Sequence, residues 1–158
     1  MLSAEVSAVS PDFSVSALSA VVINADTGNI VYEKSALAQR AMASTTKIMT
    51  ALLTIEAGDL DKKFTVDSYA IQVEGTSMGL SQGDIVTRRA LLYGILLPSG
   101  NDAANAAAVS VSGSMGKFVE LMNKKAEELG LVNTHFANPS GLDAQGHFTT
   151  AYDLAILT

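Results

Sequence analysis

Two serines in this chain stand three residues ahead of a lysine, in Ser44-Thr45-Thr46-Lys47 and in Ser114-Met115-Gly116-Lys117. On a helix, side chains at i and i+3 share a face, so the lysine amine can reach the serine hydroxyl and take its proton. Such a pair is a nucleophile with its base, provided the amine is neutral. A lysine amine ordinarily titrates near ~10.4. Burial and the positive end of a helix both disfavour the ammonium form, and a shift of about three units corresponds to roughly 4 kcal/mol. Context separates the two pairs. Lys47 enters the run Ile48, Met49, Ala51, Leu52, Leu53, Ile55 and Ala57, apolar around nearly the whole helix circumference and so expected to be buried. Lys117 opens an amphipathic helix with a solvent side, and Ser114 reads as its N-cap.

Ser99-Gly100-Asn101 is a second candidate. It follows Pro98 at a helix–helix junction, where short polar side chains project from a turn. Taken alone, Pro, Ser, Gly and Asn together are turn chemistry. Set beside Ser44 and Lys47, they become partners for a serine nucleophile. Other chemistries find little support. The chain has no Cys, which removes thiolate nucleophiles, thiolate metal sites and disulfides together. His135 and His147 are its only histidines and form no His-Glu-x-x-His pattern, so no metal is expected. Glycine-rich phosphate loops are missing as well. With a formal net charge of −6 and only scattered cations, no nucleic-acid partner is expected.

The elements that must position these residues read as a mixture of strands and helices. Leu18 to Asn24 and Asn29 to Glu33, joined at Asp26-Thr27-Gly28, predict a β-hairpin. A buried helix follows from about Ser44 and stops at Gly58. Phe64-Thr65-Val66 predicts a short strand, and residues 75–83 predict a loop. Helices are predicted from about Thr87 to Leu97, from Ala103 to about Val111, and from Ser114 to Leu129 with Gly130 as the stop. Thr150-Ala151-Tyr152-Asp153 has the spacing of a capping box for a last helix. The 158 residues are one domain's worth, and no apolar run reaches the roughly 18 residues of a membrane helix.

Ser44-Thr45-Thr46-Lys47 followed by Ser99-Gly100-Asn101 resembles the first two of three motifs of the penicillin-binding D-alanyl-D-alanine carboxypeptidases. Further segments are similar to that family: the hairpin with Asp26-Thr27-Gly28, the run from Ala43 to Thr50, and Leu96 to Ala104. So are Asn138-Pro139-Ser140-Gly141-Leu142 and Gly146 to Leu154. The resemblance runs from about Val15 to Thr158. Gly100 in place of Asp, and the lack of a Glu-x-x-Leu-Asn segment, set the chain apart from class A β-lactamases. The third motif, Lys-[Thr/Ser]-Gly, is absent.

The resemblance implies an α+β fold of the β-lactamase/transpeptidase type, an antiparallel sheet with a helical subdomain, here cut before the later strands. Residues 1–14 would be the N-terminal segment of a mature exported protein, its signal peptide not in this sequence, and 15–158 the N-terminal part of the catalytic domain. The resemblance further implies that Ser44 is the nucleophile that releases the terminal D-Ala of a peptidoglycan stem peptide, and that β-lactams acylate it. Lys47 would be its base and Ser99 a proton relay. Asn101 would orient Lys47 and hold the substrate amide, and the Ser44 N–H would be one oxyanion donor. No cofactor is implied. The remaining parts would come from the missing strands, as a continuation or a second chain, without which a lone chain is expected to be poorly stable and inactive. The competing reading is a non-catalytic fragment that acts as a binding or structural piece. His147 and Asp153 match the family pattern and are expected to be structural.

Overall fold

The computed structural model describes residues 15–158; the expected N-terminal segment 1–14 lies outside the described residues. The hairpin forms where the β-branched runs place it. Strand β1 (Ala20–Ile23) pairs antiparallel with β2 (Ile30–Lys34), Ala20 opposite Lys34, with a register shift between Val22 and Ile23. In its turn, the Asn24 side chain accepts from the N–H groups of Asp26 and Thr27, and Gly28 takes φ +72°. A 3-10 turn, Ala43–Thr45, runs directly into α1 (Thr46–Glu56).

The expected strand near 64–66 is present as β3 (Lys63–Thr65), followed by a one-turn helix α2 (Ser68–Ile71) capped by Asp67. The partner of β3 is β4 (Ile85–Thr87), Phe64 lying opposite Val86. Neither β4 nor α2 is legible in the sequence: three and four residues are too few to show a period, and Thr87 reads as a helix start. It is indeed the N-cap of α3 (Arg88–Leu96), its hydroxyl oxygen accepting from the Ala90 N–H. Helix α4 (Asn101–Ser112) begins two residues earlier than the alanine run suggests, so Asn101 and Asp102 form its first turn. Helix α5 (Met115–Glu128) is capped by Ser114, whose Oγ accepts from the Lys117 N–H. This is the cap role expected for that serine.

The last helix, α6 (Ala151–Leu157), is capped by Thr150 as its spacing predicts. Only half of the capping box forms. The Asp153 carboxylate turns instead to the Asn133 N–H and the Thr134 hydroxyl, which bolts α6 to the segment after α5. Asp153 is therefore structural, as expected.

Helix α4 is the hub, packed against α1, α2, α3 and α5. Ala103, Ala104, Ala106, Ala107 and Ala108 are all sealed from solvent, and their small side chains let the neighbouring backbones approach closely. On one side of α4 lie Met49, Leu53, Phe118, Met122 and Phe136; on the other lie Ala70, Leu91 and Ile95. Burying a large apolar side chain contributes roughly 1.5–3 kcal/mol, so these two clusters hold the helices around the site.

Helix α1 departs from the expectation that it is buried all round. Ile55 is 51% exposed, and Ile48 and Leu52 are half-buried. The sealed face instead carries Thr46, Thr50 and Thr54, spaced i, i+4, i+8 and each at 0% exposure. Threonine is tolerated there because every hydroxyl has a partner: Thr50 donates to the Pro139 carbonyl, Thr54 to the Thr50 carbonyl, and Thr46 bonds His147. Arg88 closes the other end of α1, donating to the carbonyls of Ala57 and Gly58. A cation suits the negative end of a helix.

Candidate active site

Ser44 lies in the 3-10 turn and Lys47 in the first turn of α1, so their spacing does place them together: Lys47 Nζ is 3.3 Å from Ser44 Oγ. Two further acceptors complete the surroundings of the amine, Asn101 Oδ1 at 2.7 Å and the Ser140 carbonyl at 2.6 Å. Three acceptors match the three hydrogens of an ammonium. The contact to Ser44 is the longest. On losing a proton the amine keeps its two short bonds and turns its lone pair toward the Ser44 hydroxyl. Lys47 is only 3% exposed, and burial holds its amine below the usual lysine range. Ser99 approaches Ser44 from the other side, its hydroxyl donating to Ser44 Oγ at 3.0 Å.

Lys47 and Ser99 therefore both contact the Ser44 hydroxyl, with Asn101 holding the Lys47 amine, although 55 residues separate Ser44 from Ser99. Ser44 itself is exposed, so an incoming carbonyl can reach it. A cavity of 320 Å³ opens over it, lined by Gly75, Thr76, Asn101 and the loop Ser140–Asp143.

Two of the four non-glycine residues with positive φ among the described residues lie here. Ala43 and Ser99, the residues that set Ser44 and its partner, are held at φ +44° and +58°. Such a conformation costs a non-glycine residue on the order of 1–3 kcal/mol and persists only where neighbours impose it. The neighbours are visible. Thr76 donates to the Ser99 carbonyl at 2.6 Å, and the Asn101 N–H donates to the Thr76 carbonyl at 2.7 Å. Asn101 Nδ2 donates to the Glu74 carbonyl at 2.7 Å.

Asp102 anchors that same segment. One of its oxygens accepts from Ser77 Oγ and the N–H groups of Gly79 and Leu80; the other accepts from the N–H groups of Met78 and Ala103. Burial alone would raise this carboxyl, but its five hydrogen bonds outweigh burial and hold it below the usual aspartate range. Around Ala43 the fit is tighter still. Gly141 has φ +90°, and a Cβ there would lie 2.0 Å from the Ala43 carbonyl oxygen.

His147 links two walls of the site. Its Nδ1 accepts from the Ala137 N–H, so in the neutral ring Nε2 carries the hydrogen and donates to Thr46 Oγ1 at 2.8 Å. Burial pushes its pKa down, favouring that neutral form. The ring thus ties the loop 137–141 to the start of α1, the structural part expected of it. Asp102, Thr76, Gly141 and the Ser140 carbonyl were not singled out for the site from sequence. Asp102 carried a signal as the residue after Asn101 at a helix start, and Ser140 and Gly141 carried one as part of a segment similar to the family.

The chain is similar to known proteins in both sequence and fold. A family profile described as D-alanyl-D-alanine carboxypeptidase matches residues 5–158. The D-alanyl-D-alanine carboxypeptidase DacF of Bacillus subtilis is 47% identical over 146 residues, which cover 89% of this chain and 38% of that protein. The crystal structure of the D-alanyl-D-alanine carboxypeptidase DacD from Francisella tularensis superposes with a TM-score of 0.85 at 37% identity, covering 92% of this chain and 36% of that one. The corresponding enzyme of Mycobacterium tuberculosis H37Rv has a TM-score of 0.85 at 35% identity, over 94% of this chain and 59% of its own. The chain thus spans between 36% and 59% of the length of these relatives.

Proposed function

The chain belongs to the D-alanyl-D-alanine carboxypeptidase family and has its penicillin-binding, transpeptidase-type fold, and on that premise we propose that Ser44 is the nucleophile of a D-Ala-D-Ala carboxypeptidase. One observation carries the reading: a buried, depressed lysine amine and a second serine hydroxyl both contact the exposed Ser44 Oγ. Neutral Lys47 takes the Ser44 proton as Oγ attacks the carbonyl of the penultimate D-Ala. The new C–O bond forms, the peptide C–N bond breaks, and the proton passes through Ser99 to the departing D-Ala amine. Water then hydrolyses the acyl-enzyme, two moderate steps in place of one difficult one.

Asn101 supports this chemistry in two ways. Its Oδ1 fixes the amine, and Nδ2, with one hydrogen on the Glu74 carbonyl, has a second to offer the substrate's amide carbonyl. The Ser44 N–H, which donates to no acceptor among the described residues, supports a place for it as an oxyanion donor. By the family resemblance, the second donor and the cation for the substrate's terminal carboxylate come from a Lys-[Thr/Ser]-Gly strand supplied by a continuation or a second chain. The substrate, a peptidoglycan stem peptide, places the protein outside the cytoplasmic membrane, and β-lactams acylate Ser44 as substrate mimics.

The test is mass spectrometry of penicillin-treated full-length protein. Ser44→Ala abolishes the adduct. Ser114→Ala retains it and loses only a helix cap, about 1 kcal/mol. An adduct that persists in Ser44→Ala overturns the assignment.

A further inference from the structure

The loop that brings Ser140 to the site is pinned at both ends. His135 and Phe148 exchange a pair of backbone hydrogen bonds, and Phe136 is held by Asn123 through both its N–H and its C=O. Inside the loop, the Asn138 carboxamide bonds the N–H groups of Ser140 and Gly141, the Ser140 hydroxyl and the Leu142 carbonyl. Residues 138–142 are thereby braced into one piece. That piece carries the Ser140 carbonyl, the closest acceptor of the Lys47 amine at 2.6 Å.

His147 clasps this loop from its far end. Its Nδ1 accepts from the Ala137 N–H at 2.9 Å, just before the braced piece, and its Nε2 reaches Thr46, the neighbour of Lys47, at 2.8 Å. The clasp needs an uncharged ring, because an imidazolium donates through both nitrogens. On protonation Nε2–H keeps Thr46, but Nδ1–H meets the Ala137 N–H, donor against donor. At 6% exposure the ring cannot turn to solvent without displacing the loop. The groups that face it divide. Burial is the largest influence and opposes the charge, Asp143 on the loop favours it, and His135 at the loop's stem opposes it. Burial prevails. On α1 the charged group is Lys47, its amine turned to Ser44, Asn101 and Ser140, and the segment before the loop presents the Phe136 ring, edge-on at 6.1 Å.

We propose that His147 is a positioning residue for acyl transfer: its neutral ring holds the Ser140 carbonyl on the Lys47 amine, and its protonation releases that carbonyl, so that acid slows acylation beyond the effect of protonating Lys47. The inference deepens the proposed function and rests on it. With the Ser140 carbonyl in place, two short bonds fix the amine and aim its lone pair at Ser44. With that carbonyl displaced, Asn101 alone remains as a short partner, and the amine rotates about that bond. The loss falls on the transfer of the Ser44 proton, since Ser44 and Ser99 keep their own contact.

The test times penicillin acylation of Ser44 by mass spectrometry in full-length wild type and in His147→Gln, whose carboxamide offers an acceptor and a donor and stays neutral. Dividing one rate by the other cancels the Lys47 limb. The NMR signals of the labelled His147 ring give the pH at which it titrates. The ratio of wild type to variant falls about fivefold, the factor for one neutral hydrogen bond, between pH 8 and about one unit below that midpoint. A side chain that merely supports the fold leaves this ratio level. In the wild type, the amide signals of Ala137, Ser140 and Gly141 move with the same midpoint. An equal ratio at both pH values, amide signals that ignore the ring, or a ring that takes its proton only as the whole protein unfolds overturns the proposal. An adduct that forms with a level ratio overturns the clasp alone. Amides that follow the ring in a protein whose Ser44 takes no adduct at any pH support the clasp and overturn the acyl-transfer reading.

Discussion

Replacing Asp102 by Asn changes one atom, yet it should cost this protein a large part of its stability and loosen its candidate site. The carboxylate is 2% exposed and faces five donors, three on one oxygen and two on the other. An asparagine has a single acceptor oxygen. Its best orientation keeps the three donors of Ser77, Gly79 and Leu80 and turns NH₂ toward the N–H groups of Met78 and Ala103. Two backbone donors then face a donor. Each unsatisfied group costs about 1–3 kcal/mol, which gives about 4 kcal/mol in all. Against a total stability of roughly 5–15 kcal/mol, that is a severe loss.

The damage reaches the site because the segment 76–80 that Asp102 holds also presents Thr76 to Ser99 and Asn101. Penicillin acylation of Ser44 should therefore slow even below the melting temperature. The pH dependence gives a second check. A carboxyl whose pKa is depressed in the fold contributes stability that is present above its unfolded pKa of about 3.9 and is lost as pH falls through the lower folded value. The penalty of Asp102→Asn should therefore be largest near neutral pH and shrink in acid. Denaturant titrations of wild type and variant at pH 7 and pH 3 measure both quantities. A difference under 1 kcal/mol at pH 7, or one that is equal at both pH values, refutes the reasoning.

Three further outcomes are expected. Acylation of Ser44 should rise with pH through the depressed pKa of Lys47 and should be lost in Lys47→Arg, whose guanidinium cannot give up its proton; a pH–rate profile with no ascending limb speaks against Lys47 as the base. Gly141→Ala should destabilise by about 3 kcal/mol, since the added methyl meets the Ala43 carbonyl at 2.0 Å and the backbone is left-handed there; an unchanged denaturation midpoint contradicts the packing described. His147 has a depressed pKa, so its share of stability is present above about pH 6.5 and is lost as pH falls toward its folded value. His147→Gln should flatten that acid limb, and curves of identical slope for variant and wild type count against a buried neutral ring.

Within this protein, much of what depends on neighbours along the chain was legible without coordinates, the one-turn helix α2 being too short to show a period. The hairpin follows from β-branched runs around Asp26-Thr27-Gly28, the caps at Ser114 and Thr150 from short polar residues before helices, and the Ser44–Lys47 pair from the i, i+3 geometry of a helix. These are interactions over three or four residues, whose free energy is set by local backbone geometry. Packing decided the rest. That Ser99 rather than Ser114 faces Ser44, that the Ser140 carbonyl is the third acceptor of Lys47, and that β4 pairs with β3 all depend on elements far apart in sequence. The same holds for the polarity of α1. Its threonines read as ordinary helix residues until Pro139 and His147 arrive from the far end of the chain to bond them. Asn101 and Asn105 are identical in type and share a helix face, yet one holds the lysine and the other has no partner among the described residues. Which of two equal side chains finds a partner is settled by the surface that packs against it, and that surface forms only when the chain folds.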